Sequence, residues 1–451
     1  MTRAFTDIGY DLQMSPSATD DRTEVGSYFI ANYPPFSVWS QDAVERDVRP
    51  ALASAPADVP LGLYLHIPFC RKRCHFCYFR VYTDKNAREV QAYLDTLARE
   101  IELYAQQPAI AGRPLNFVYF GGGTPSFLST RQLQSLVTRM DGVIPWREAE
   151  EITFECEPGT LTEPKLTALR ELGVTRLSLG VENFSDHLLD INGRAHRSPE
   201  IGRAYAVARS LQFPQINIDL IAGMLGESEE NWRDSVQKTI ALEPDSVTIY
   251  QMELPFNTTI SKSLRSGDQP LDGDVANWST KRRWVGEAFA AFERAGYTVA
   301  SGYAVVRNPA TKFIYRDRLW QGADMMGLGV ASFGHINGVH LQNIDAFGPY
   351  CDELAHGRLP LGRGLRPSAE ERLIREFVLQ MKLGVLRKTY FEEKYGVNVL
   401  ERFRDPLSDL ADEGMLSIVS DRIVLTRSGL LQVDTLLPRF FLPQHQGLRY
   451  T

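Results

Sequence analysis

The chain is short of cysteine, of basic excess and of long apolar runs, and each shortage closes off a class of function. Five cysteines in 451 residues, an odd number, make no disulfide framework and fit a reducing compartment. A net charge of −7 supplies no global basic surface for nucleic acid or anionic lipid. No run of about 18 apolar residues occurs, so no membrane span is expected. The opening residues, Met1-Thr-Arg-Ala-Phe-Thr-Asp-Ile-Gly9, have neither an apolar core nor a cleavage site. No secretory signal is therefore expected, and the cytoplasm is the expected location. Internal repeats beyond a strand–helix unit and low-complexity segments are also missing. The remaining composition, 43% hydrophobic and 23% charged, is that of a globular chain with one large domain and one or two small ones.

Three of the five cysteines are crowded into one loop. Cys70, Cys74 and Cys77 stand in Tyr64-Leu-His-Ile-Pro-Phe-Cys-Arg-Lys-Arg-Cys-His-Phe-Cys-Tyr-Phe79, with the spacing C-x3-C-x2-C. Three thiolates on one short loop hold three irons of a 4Fe-4S cube, and no fourth cysteine follows closely, which leaves one iron open to a ligand. A structural zinc site wants four closed ligands. His75 completes such a set only by displacing its neighbours, and there is no second C-x2-C half-site.

From residue 60 the chain alternates. Strand-like apolar runs near 62–67, 116–121, 151–156, 176–182, 215–222 and 246–253 are separated by helix-period segments such as 89–104 and 163–173, the latter ending on Gly173. Repeated strand–helix units predict a parallel sheet with right-handed crossovers. Six of them suit an α/β fold, an open, partial (β/α)6 TIM-like barrel, with its site at the C-terminal ends of the strands. The expected organisation is an irregular N-terminal arm over 1–58, a barrel core over 59–260, an extension over 261–366 and a small winged-helix-like domain over 367–451. The arm's aromatic stretch Tyr28–Trp39 is expected to pack on the core or to line the cleft. The extension, with a helix over Arg282–Ala295, is expected to extend the sheet and close one side of the cleft. Within 367–440 there are 11 Lys/Arg against 12 Asp/Glu, which argues against phosphate tracking and for a structural or lid role.

Four further features bear on chemistry. Gly121-Gly-Gly-Thr-Pro-Ser126 follows the second strand, where glycines let backbone approach a ligand and present amide N–H groups. Glu155 ends the third strand and is placed to hold ribose hydroxyls; Glu157, on the same strand face, is its rival. Arg194 offers a planar fork for a carboxylate. Asp219 is charged inside an otherwise apolar strand, so a ligand or an arginine should lie beside it, and Arg194 is one candidate.

These motifs, with Leu-Gly-Val-Glu-Asn-Phe, Asn-Ile-Asp-Leu-Ile-Ala-Gly and Gly-Leu-Gly-Val-Ala-Ser-Phe-Gly-His, make residues 60–440 similar to the oxygen-independent coproporphyrinogen III oxidase family of the radical S-adenosylmethionine (SAM) superfamily. The resemblance implies a 4Fe-4S cluster on Cys70, Cys74 and Cys77 and two SAM molecules. It implies Tyr64, Gly122, Glu155, Arg194 and Asp219 around the cluster-chelated SAM, and Phe76, Gly123, Thr124, Glu182, Glu253 and Phe333 around the second. The family's oxidase carries a further cysteine just after the triad, a glutamine at Glu182 and a small residue at Glu253; this chain has none of the three. The implied activity is reductive cleavage of SAM to a 5′-deoxyadenosyl radical, which acts on a tetrapyrrole and converts propionate to vinyl by oxidative decarboxylation. Arg71, Lys72, Arg73 and Arg80 are candidate propionate contacts. Two alternatives come with the resemblance. One is a two-SAM C-methyltransferase on an unsaturated or aromatic substrate. The other is a haem-binding chaperone using an axial ligand such as His75, His335 or His340. The expected partners are a small molecule and a flavodoxin- or ferredoxin-type electron donor, with the protein a monomer that binds no nucleic acid.

Overall fold

Six parallel strands form where the apolar runs lie: β1 (Leu61–Ile67), β2 (Leu115–Gly122), β3 (Glu151–Cys156), β4 (Arg176–Glu182), β5 (Gln215–Ala222) and β6 (Ser246–Gln251). Each pairs in parallel with the next. Their near-continuous burial is what a sheet covered on its outer face by crossover helices requires. The computed structural model describes residues 29–266 and 273–448, so Tyr28, the first residue of the aromatic stretch, lies outside the described residues.

The crossover helices follow from local chemistry. Helix Ala87–Ala105 begins at a capping box between Asn86 and Glu89 and buries Val90, Tyr93, Leu94, Leu97, Ile101 and Tyr104 on one face, the stripe expected of three- and four-residue spacing. Helix Glu163–Glu171 is capped by Thr162, and Gly173 takes the left-handed conformation (φ +93°) that turns the chain into β4.

The extension adds strands to both edges of the sheet. β7 (Thr298–Ser301) and β8 (Ala304–Val306) add antiparallel to β6, while β9 (Asp324–Leu328) lies parallel against β1 and carries β10 (Phe333–Ile336), β11 (Val339–Asn343) and β12 (Leu361–Leu365) outward. The sheet has twelve strands in one order, with seven parallel strands in the middle. The physical reason is that β1 and β6 are both open edges of a partial barrel and both need a partner. The expected helix runs over Trp278–Arg294.

Residues 369–436 form a separate unit: helix Ala369–Met381, β13 (Val385–Arg387), short helices, and the pair β14 (Leu416–Val419) and β15 (Arg422–Leu425), in a three-stranded antiparallel sheet. It has its own apolar core around Phe377, Phe391, Phe403 and Phe440.

The arm is not irregular throughout, since residues 42–53 are helical. Its extended part ties the two cores together. Tyr33 is fully buried, and its hydroxyl meets Leu442 N and His445. Ser40 bridges to Gly364 at the edge of β12, and Phe36 and Trp39 pack on Phe333 with ring centroids 4.3 and 5.6 Å apart. No helix among the described residues is long and apolar enough to cross a membrane.

Candidate active site

The cysteine loop leaves β1 and is held from three sides. Cys70 N–H bonds to Tyr82 O (3.1 Å) and Tyr82 N–H returns to Pro68 O (2.7 Å). His75 N–H bonds to Asn192 O (3.0 Å), and its carbonyl accepts from Ile260 N–H (3.2 Å). The His75 ring Nδ1 donates to Ile191 O (2.9 Å), which fixes its tautomer. Phe76 packs on the apolar group of Ile221, Leu225, Met252 and Ile260.

All three cysteines are free and half-buried. Burial pushes the Cys70 thiol up to about 11, against the pull of the Thr124 hydroxyl, and the Cys77 thiol up to about 12. The surroundings supply the donors that ligating sulfurs use: Thr124 Oγ1 lies 3.3 Å from Cys70 Sγ, and Arg194 Nη1 lies 3.4 Å from Cys74 Sγ. Among the described residues, no three or more His, Cys, Asp or Glu side chains converge on a single ion.

The glycine turn lies directly beside this loop. Its amides are not presented to a ligand, contrary to the sequence expectation. Gly122 N–H goes to Glu155 Oε2 (3.0 Å), Gly123 N–H to Ile67 O (2.9 Å) and Thr124 N–H to Phe69 O (2.9 Å). The chain uses them to stitch β2 to the end of β1. What the turn offers is carbonyl oxygen, the partner an ammonium needs. Gly122 is required as glycine: its φ is +112°, and a Cβ there would stand 2.5 Å from the His66 ring.

Glu155 accepts from Tyr119 OH (2.7 Å) as well as from Gly122, and burial raises its carboxyl to about 7. Asp219 is fixed by Ser178 Oγ (2.9 Å) and Asn217 Nδ2 (2.8 Å) and is raised by burial. Arg194 is not its partner. The guanidinium of Arg194 instead reaches Gly180 O and stands 3.6 Å from Glu182, while its Nε is buried with no hydrogen-bond partner. That leaves a donor for a ligand carboxylate. Tyr64 OH sits 3.3 Å from His66 Nδ1.

Glu157 also departs from the ribose alternative. It lies beyond β3, gripped by Arg71 and 3.2 Å from the His196 ring. Other cluster-loop cations are engaged too: Arg73 with Cys77 O (3.2 Å) and Arg80 with Asp345 (3.1 Å).

The residues expected around a second SAM are spread over several segments: Phe76 on the cysteine loop, Gly123 and Thr124 in the glycine turn, and Glu182, Glu253 and Phe333 on three others. Glu182 joins Glu155 and Asp219 at the strand ends. It has φ +63°, a backbone rarely held by a side-chain-bearing residue, at a register break between β4 and β5. Burial raises its carboxyl to about 7. Glu253, raised by burial to about 8, accepts from Phe29 N–H of the arm, and Phe333 is covered by Phe36 and Trp39. The arm thus touches both residues, Glu253 through Phe29 and Phe333 through Phe36 and Trp39.

Tyr119, Ser178 and Asn217 were not singled out from the sequence. Asn217 lies two positions from Asp219 on its own strand, and that alternation is an available signal; Ser178 and Tyr119 carry none.

Residues 64–239 match the family model of the radical SAM superfamily. The heme chaperone HemW of Bacillus subtilis is 28% identical over 371 residues, 82% of this chain and 96% of that one. The oxygen-independent coproporphyrinogen III oxidase of Pseudomonas aeruginosa is 27% identical over 419 residues, 88% of this chain and 89% of that one. The solved structure of coproporphyrinogen III oxidase (HemN) from Escherichia coli superposes with a TM-score of 0.78 at 25% identity, covering 92% of this chain and 96% of that one. With the cysteine loop and strand-end carboxylates already in place, residues 64–239 match a radical SAM domain, and the chain as a whole is similar to the oxygen-independent coproporphyrinogen III oxidases and their relatives.

Proposed function

We propose that the protein is a radical SAM oxidoreductase that acts on a tetrapyrrole, converting a propionate side chain to vinyl by oxidative decarboxylation. The family implies a 4Fe-4S cluster and SAM. When bound, they supply an electron and a 5′-deoxyadenosyl radical for hydrogen abstraction. Cys70, Cys74 and Cys77 hold the cluster. The unpartnered Nε of Arg194 receives the SAM carboxylate, the carbonyls of the glycine turn its ammonium, and Glu155 and Asp219 its ribose side. The observation that carries the reading is this convergence of cysteine loop, glycine turn, Arg194 and carboxylates at the strand ends. An enzyme is favoured over a haem carrier because the candidate axial histidines are engaged. His335 and His340 are buried and bonded to each other (2.9 Å), and the His75 ring is bonded to Ile191 O. Residues 59–260 serve as the core, 261–366 as its extension and 367–451, in winged-helix-like order, as scaffold.

A second reading, a two-SAM methyltransferase on an aromatic substrate, is favoured by one observation. Arg71, Arg73 and Arg80 are all bonded within the protein rather than waiting for propionates. Anaerobic turnover of reconstituted protein with SAM, dithionite and candidate substrates separates the two by product mass. Loss of carbon dioxide and two hydrogens marks the oxidase, and gain of a methylene marks the methyltransferase. 5′-Deoxyadenosine failing to form under every condition would exclude both.

A further inference from the structure

The chain is acidic overall, yet the protein around its cysteine loop is not. Three segments meet at His75: the loop itself, whose His75 N–H bonds to Asn192 O; residues 191–197, whose Gly193 lies against Arg73 and the His75 ring; and residues 256–266, whose Ile260 N–H bonds to His75 O. Asn257 adds a side-chain bond to Tyr78 O (2.8 Å). Residues 70–80, 191–197 and 256–266 together hold eight lysines and arginines and no aspartate or glutamate. Neighbouring carboxylates draw off some of that charge, Glu157 from Arg71, Asp345 from Arg80 and Asp190 from Arg197. Arg194 faces inward to the site. Lys72, Arg73, Lys262 and Arg265 are exposed, and among the described residues none of the four is ion-paired with a carboxylate.

An apolar residue sits among these cations. Helix Thr259–Ser266 turns Ile260 and Ser261 inward and Lys262, Leu264 and Arg265 outward, with Leu264 48% exposed. Leu264 is thus an apolar point within a positively charged face. Arg265 is also held in place, by Phe256 O (2.8 Å) and Ser261 O (3.3 Å), so its charge is presented in a fixed position.

We infer that this face, centred on Lys72, Arg73, Lys262, Leu264 and Arg265, docks an acidic one-electron donor protein that reduces the cluster through the 70–80 loop. The inference rests on the proposed function. Cleavage of SAM consumes one electron: the C5′–S bond breaks, methionine leaves, and the donor is oxidised by one electron. Charge complementarity chooses the occupant. A negatively charged protein is steered to this patch against the repulsion of a chain whose net charge is −7.

The experiment compares holoprotein with Lys262→Glu and with the double variant Lys262→Glu/Arg265→Glu. Neither residue belongs to the cluster or SAM site, and the single variant spares the Arg265 contacts. The probe is an acidic flavodoxin, read first by equilibrium binding without turnover and then as reductant. At low salt the double variant should bind flavodoxin about tenfold more weakly and the single variant about threefold. Added salt should weaken the wild type and close the gap. 5′-Deoxyadenosine formation driven by dithionite should be unchanged in both. Flavodoxin affinity equal to wild type at low salt overturns the inference. So does a variant whose KM for the tetrapyrrole rises under dithionite while flavodoxin binding holds, because the face would then belong to the substrate. Wild-type protein that forms no 5′-deoxyadenosine with dithionite defeats the proposed function instead, and the binding titration still decides the face.

Discussion

Arg71 clasps Glu157 through three nitrogen–oxygen contacts of 2.8, 3.0 and 3.2 Å, which pins the cysteine loop to the chain leaving β3. Burial alone would raise the Glu157 carboxyl, but the His196 ring and the Arg71 guanidinium overcome it and bring it from 4.5 to about 2. A depressed carboxylate stabilises the fold fully above its unfolded value and loses that contribution as pH falls through the folded one. The shift corresponds to about 3 kcal/mol. Glu157→Gln should therefore destabilise the apoprotein by that order above pH 4.5, with the gap to wild type closing as pH falls towards about 2. Denaturant unfolding of both proteins across that range checks it; a gap independent of pH would deny the ion pair its role.

Cys74→Ser should abolish the cluster while leaving the fold. Iron after anaerobic reconstitution should fall from about four per chain to a small fraction, because serine is a poor ligand for soft iron–sulfur sites. The far-ultraviolet circular dichroism spectrum should be unchanged, since the loop is fixed by Tyr82, Asn192 and Ile260 rather than by its sulfurs. Full iron content in the variant would remove Cys74 from the ligand set.

Asp219 reaches its site position through hydrogen bonds from Ser178 and Asn217, with the charge of Arg176 nearby. Asp219→Asn keeps the shape and removes the charge. SAM affinity should drop about tenfold, the loss of a charge-assisted hydrogen bond, with the cluster spectrum intact. Equal SAM affinity by equilibrium dialysis would reduce Asp219 to a structural residue.

Glu155 and Glu182 both titrate at about 7, raised by burial. A raised carboxyl stabilises the fold below its unfolded value and gives that up as pH rises through the folded one. The apoprotein's Tm should therefore decline as pH rises from 4.5 to about 7 and level off above it. SAM affinity should move the opposite way, because ionised carboxylates attract the sulfonium. Glu182→Gln should flatten part of both trends and weaken one of two SAM molecules about fivefold while sparing the other. A saturation stoichiometry of one SAM per chain would sink the two-SAM reading.

The six core strands and the placement of the cysteine loop were legible because apolar runs and cysteine spacing are local signals. Local reading failed where distant segments compete for one partner. The spacing of 280–345 gives no hint that β9 pairs with β1 while β7 and β8 pair with β6, since edge pairing is decided by geometry across the chain. The same limit explains Arg194 and Asp219. Each is a charge in need of company by sequence, and the neighbours it finds, Glu182 for Arg194 and Ser178 and Arg176 for Asp219, come from other segments. The glycine turn was recognised as a turn, yet the direction of its amides depends on the end of β1, which sequence spacing does not contain.

The pairing of β1 with β9 has a consequence for how the chain is made. Until residues 324–328 emerge, the strand that leads into the cysteine loop has only β2 beside it, and its other side is a bare row of amides and carbonyls. Long-range closure of that kind is slow, and an open strand edge recruits other chains. Cofactor loading must therefore follow synthesis of most of the polypeptide. A chain halted before residue 324 should emerge as an aggregating product rather than as a smaller working barrel.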